Sequence, residues 1–149
     1  MHVYKHVLIP TDGSPASMRA AKAGIALARA VGARVTAFFA APAPTPLIYD
    51  GLLPVGYVPP DQRAALIERA AKKYLGAIEA EARAAGVPCE SLHVTSEFPA
   101  DAILETAKRL KCDLIFMASH GRHGISAVLL GSETQKVLAH SKVPVVVYR

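Results

Sequence analysis

The chain has 149 residues, 52% of them apolar, which suits one domain able to bury roughly two-thirds of its unfolded surface. Its formal charge of +5 is mild and spread along the chain, with Lys72-Lys73 and Lys108-Arg109-Lys111 on expected solvated helix faces, so it gives no argument for nucleic acid. No apolar run approaches the roughly 18 residues of a membrane span, and MHVYKHVLIP lacks the long apolar core and cleavage site of a signal peptide, so the cytoplasm is the expected location.

The first element, HVLIPTD (6–12), is a short apolar run stopped by Asp-Gly and predicts a strand buried on both faces. Ser14 and Pro15 then supply an N-cap and a proline at the first helical position. Ala20, Gly24, Leu27 and Val31 recur at helical spacing, and Gly32 closes the helix. ARVTAFFAA (33–41) predicts the second strand. The proline-rich stretch that follows, through about residue 60, has no periodicity; loops of that length are usually functional, and both a lid over a crevice and a docking segment stay open.

A long helix from about Asp61 to Ala85 places Ile67, Ala71, Tyr74, Ile78 and Ala82 on one stripe and ends at Gly86 and Pro88. CESLHVTS (89–96) predicts the third strand, and Pro99 opens a helix over Ala100 to Leu110. DLIFMAS (113–119) and VPVVVY (143–148) predict the fourth and fifth strands, with a helix starting near Ser132 between them. Ser132 and Gln135 have the spacing of a capping box. Cys89 and Cys112 have no CxxC partner and are expected as reduced, buried thiols.

Strands alternating with helices imply a parallel sheet covered on both faces, the three-layer α/β architecture of Rossmann-like folds. Ligands of such sheets lie at the carboxyl ends of the strands, where the winding direction reverses. Two strand ends carry polar, glycine-rich chemistry: PTDGS after strand 1 and ASHGRHG after strand 4. If these strands are neighbours at the reversal, the order of the five strands is 3-2-1-4-5 and both loops face one crevice.

Gly121, and Gly131 before the helix start, offer unobstructed backbone N–H groups, and a helix N-terminus adds partial positive charge, so phosphate is the natural guest. Ser132 and Thr134 add hydroxyls, and Arg122 could reach a terminal phosphate. Asp12 repels phosphate but would accept from a ribose hydroxyl or a base amine. The plainer reading stays open: Asp-Gly is a turn signal, Gly121 and Gly124 can simply end a strand, and Gly131-Ser132 can simply start a helix. Glu133 suits a helix start yet sits awkwardly beside phosphates. His120 and His123 lack an evident third metal ligand. No GxxxxGK[ST] and no GxGxxG after strand 1 is present.

Taken together, VLIPTDGSPAS, the end of strand 2, ASHGRHG, LLGSETQKVL and VPVVVYR resemble the universal stress protein family over nearly the whole chain. Its ATP-binding branch carries glycine, two residues, glycine, nine residues, then glycine and serine or threonine. Here the pattern is Ala118, two residues, Gly121, nine residues, Gly131-Ser132, so only the first position departs. The resemblance implies the strand order 3-2-1-4-5, the fold of the adenine nucleotide alpha hydrolase-like group, and ATP, or ADP or AMP, in the crevice, with Mg accompanying the phosphates. Pro10, Thr11 and Asp12 would hold the adenosine end, Ala40 would line the base pocket and Met117 would pack beside sugar or base. Gly121, Arg122, Gly131, Ser132 and Thr134 would surround the phosphates. Ala118 puts a methyl group where the family has hydrogen, so weaker or shifted binding is expected.

The resemblance also implies a homodimer through the last strand, 143–148, whose apolar faces would otherwise lie at a sheet edge. No residue is poised as a nucleophile or general base, so any ATP hydrolysis would be slow, and a sensor or regulator of the stress response is the expected role. The alternative is a dimeric interaction module with a vestigial, nucleotide-free crevice.

Overall fold

The structure, a computed structural model, describes residues 3–43, 58–121 and 130–149. Its elements alternate in chain order: β1 (His6–Thr11), α1 (Pro15–Val31), β2 (Arg34–Pro42), α2 (Pro60–Ala85), β3 (Cys89–Ser96), α3 (Pro99–Arg109), β4 (Leu114–Ala118), α4 (Ser132–His140) and β5 (Val145–Tyr148). Every strand pairing is parallel, and the sheet order is β3-β2-β1-β4-β5, the order expected from the sequence. Winding reverses between β1 and β4, whose pairing registers Val7 with Leu114 and Leu8 with Ile115.

The pleat divides the sheet into two cores. Val7, Ile9, Val35, Ala37, Phe39, Leu114 and Phe116 pack with α1 and α2. Leu8, Phe38, Ile115 and Met117 pack with α3 and with Val137 of α4. Burying each of the larger side chains completely, as for Leu8, Ile9 and Phe38, contributes about 1.5–3 kcal/mol.

Local chemistry sets the helix limits. Ser14 Oγ accepts the N–H of Ser17 at 3.1 Å, Pro15 occupies the first turn, and Gly32 and Gly86 end α1 and α2. Two expected details differ. The buried face of α1 runs through Ser17, Ala20, Ala21, Gly24, Ile25 and Ala28, while Leu27 and Val31 are half-buried. Small residues let α1 lie close to the sheet: a Cβ on Gly24 would stand 2.9 Å from Ile9 Cδ1. No capping box forms on α4 either. Gly131, which has no side chain to cap with, is its N-cap and Ser132 is already helical; Ser119 O holds the Gly131 N–H at 2.8 Å, and Gln135 Nε2 donates to Leu130 O instead. The proline-rich connection lies largely outside the described residues.

At the end of the sheet where β1 begins, the Asp113 carboxylate accepts the N–H groups of Lys5 and His6 and pins β1 beside the entry to β4. His6 is buried, its Nε2 2.7 Å from Thr36 Oγ1. Burial, and then the Arg34 guanidinium, hold its imidazole below the usual 6.5. Burial likewise pushes the Cys112 thiol up to about 11, consistent with an inert, protonated thiol. Cys112 is buried and Cys89 half-buried, and both are free.

Two outcomes follow from this architecture. Because the folded His6 imidazole titrates lower than the unfolded one, the unfolded chain takes the proton first as pH falls through 6.5, and stability is lost in that window. Thermal melts should therefore fall more steeply below that pH in the wild type than in His6→Gln. Gly13, in the β1–α1 turn, has φ +81°, and a side chain there would run into the Tyr74 ring of α2. Gly13→Ala should cost about 1–2 kcal/mol from the left-handed backbone alone, read by urea unfolding, and more as Tyr74 is displaced.

Candidate functional site

The β1–α1 turn is built by hydroxyls that satisfy one another. Ser17 Oγ donates its only proton to Ser14 O at 2.9 Å, so in the 2.9 Å contact between Thr11 Oγ1 and Ser17 Oγ the threonine is the donor. Thr11 Oγ1 also accepts the Gly13 N–H at 3.1 Å, and Asp12 Oδ1 accepts the Ser14 N–H at 2.9 Å. The Thr11 side chain is thereby spent on shaping the turn. Asp12, half-buried, carries the ligand-facing polarity of this strand end.

The end of β4 meets this turn from the other side of the reversal. A methyl on Gly121 would run into the Asp12 carboxylate, so glycine is what lets the two strand-end loops touch. Ala118 O accepts the Thr134 hydroxyl at 3.0 Å, and Ser119 O accepts the Gly131 N–H. These bonds fix the start of α4 over the end of β4. Thr134 is buried, and its hydroxyl proton is committed to the strand.

A cavity of about 610 Å3 opens between these loops. Pro10, Thr11, Asp12, Ala40, Met117, Ala118, Gly121, Gly131, Ser132 and Thr134 all line it. Arg122, the remaining residue singled out from the sequence, lies outside the described residues, as do His123 and Gly124. One wall is aromatic and aliphatic: Phe38, Phe39, and Leu66, Ile67, Ala70 and Tyr74 of α2. Tyr74 stands edge-on to Phe39, the rings 5.4 Å apart at 87°. Pro99 and Ile103 of α3 form another part of the lining.

Sequence reasoning did not place α2 or α3 at the crevice. The Phe38-Phe39 pair and the α2 stripe were signals for it, but they read equally as core. It also set His120 aside. His120 lines the cavity, its Nδ1 2.9 Å from Ser119 Oγ, and its buried Nε2 has no hydrogen-bond partner among the described residues. The arrangement offers a carboxylate, a helix start and a roomy apolar wall. That combination suits a ligand with a flat apolar part, hydroxyls and one anionic end. Among the described residues no three His, Cys, Asp or Glu side chains gather as metal ligands, and no helix is long and apolar enough to cross a membrane.

The family model for the universal stress protein family matches residues 3–149. A universal stress protein of Thermus aquaticus is 37% identical over 99% of this chain and 100% of its own length. One from Methanocaldococcus jannaschii is 31% identical over 99% of this chain and 84% of its own. Among solved structures, a universal stress protein in complex with cAMP superposes with a TM-score of 0.68, at 28% identity, covering 98% of this chain and 97% of that one. The Archaeoglobus fulgidus universal stress protein in complex with dAMP covers both chains fully at a TM-score of 0.65; at 18% identity it speaks for the fold alone. With the sheet order, both loops and the full-length match in agreement, the chain belongs to the universal stress protein family.

Proposed function

We propose that the cavity binds an adenine nucleotide, as in the ATP-binding branch of the family, and that the protein acts in the cytoplasm as a sensor or regulator in the stress response. The observation that carries this reading is the meeting of Asp12 with the Gly121 and Gly131 turns around one cavity of about 610 Å3. The complex of a related universal stress protein with cAMP supports it.

In this reading the sugar or base lies against Asp12, the base packs between Ala40, Met117 and the α2 wall, and the phosphate sits at the start of α4 beside Gly131 and Ser132. Thr134 acts indirectly, by holding that helix start to Ala118. Arg122 completes the phosphate end. A magnesium ion would enter held chiefly by the phosphates. Binding reports a metabolic state, and turnover, where it occurs, is slow.

The protein pairs with a second copy through β5. Val146 and Tyr148 on this edge strand, and Leu138 on the neighbouring α4, are 36%, 40% and 41% exposed, an apolar margin that pairing would cover.

Two measurements test these statements. Titration calorimetry with AMP and ATP should show binding that weakens about tenfold or more in Asp12→Ala, the scale of a hydrogen bond to a charged group; no binding of either nucleotide by the wild type would refute the reading. Equilibrium sedimentation should show a dimer that Val146→Lys converts to monomer, and a wild-type monomer at micromolar concentration would count against pairing.

A further inference from the structure

The charged lining of the cavity among the described residues consists of Asp12 and Glu133, with no lysine or arginine. Two helix starts reach this lining, α3 through Pro99 and α4 through Ser132. They are not equivalent. No side chain caps α4 at Gly131, so its first turn presents backbone donors to an anion. Phe98, the N-cap of α3, also lacks a side-chain cap bond, but the first turn of α3 is already served from outside. Glu133 reaches across from α4, its Oε2 accepting the Ala100 N–H at 2.9 Å. Its Oε1 takes the Lys136 ammonium at 3.1 Å, which neutralises only part of the charge, because both side chains are more than a third exposed.

Glu133 is therefore a resident anion on a helix end that reaches the cavity. It occupies the donor, cancels the favourable end of the α3 dipole, and adds like charge beside any phosphate extending along that wall. We propose that Glu133 limits the phosphate count of the ligand, so that the cavity takes a nucleoside monophosphate, open or cyclic, in preference to a triphosphate. This inference rests on the adenine-nucleotide reading of the cavity and sharpens it to one ligand class.

The test is the ratio of AMP to ATP affinity, measured by titration calorimetry on the full chain for the wild type, Glu133→Gln and Lys136→Gln. The wild type should hold AMP at least as tightly as ATP. Glu133→Gln keeps an oxygen that can accept the Ala100 N–H but loses the charge, and should move the ratio toward ATP by about fivefold, the scale of one charge at a helix start. Lys136→Gln leaves Glu133 uncompensated and should move the ratio toward AMP; it decides alone should the first variant fail to fold. A wild type that prefers ATP, or a ratio unmoved by the substitutions, overturns the inference and leaves nucleotide binding standing. If neither nucleotide binds any of the three proteins, the reading of the cavity falls, and the inference with it.

Discussion

The face of the sheet that carries the cavity depends on two carbonyls at the end of β4. Ala118 O and Ser119 O accept from Thr134 and Gly131, so the N-cap and first turn of α4 return to the end of the strand. Hydrogen bonds of this kind contribute about 0.5–1.5 kcal/mol each, but their larger effect is geometric. They place an uncapped helix start over the reversal in the sheet, opposite the carboxylate of Asp12. A Cβ on Gly131 would stand 3.3 Å from Ser119 O, so even a methyl there would strain the tie.

The side chains around the cavity divide their labour accordingly. Thr11, Ser14 and Ser17 satisfy one another inside the β1–α1 turn, and Thr134 satisfies the strand, so hydroxyls that a motif would assign to a ligand are occupied in shaping the loops. The rest of the lining differs in kind: the Asp12 and Glu133 carboxylates, each already holding a backbone N–H group, the start of α4, and the apolar wall from β2 and α2.

The sheet order and the pairing of the two loops were legible because they rest on local signals: four short apolar runs and the alternating CESLHVTS, helices bounded by Ser14-Pro15 and Gly86, and glycines beside the ends of strands 1 and 4. The role of Glu133 was not, since its partner, Ala100, is 33 residues away and brought near only by the packing of α3 against α4. His6 escaped for the same reason; its partner Thr36 sits on the neighbouring strand, and the cost of burying an imidazole is invisible in an isolated letter. The inward face of α1 was misjudged because alanine, glycine and serine carry little hydrophobic signal, yet they are what close packing against Ile9 and Phe116 requires. The cavity wall on α2 follows a connection whose length hides which strand ends that helix covers.

The two margins of the sheet differ in chemistry. Along β3 the exposed positions are Glu90, His93 and Thr95, whereas along β5 they are Val146 and Tyr148. Endless side-by-side growth of sheets needs adhesive surface on both flanks of each molecule, so that every addition leaves another site behind it. Here one flank is hydrophilic. Association through the apolar flank would use it up in a single self-complementary step, so the asymmetry of the margins is one that permits a closed pair without leaving a second adhesive edge.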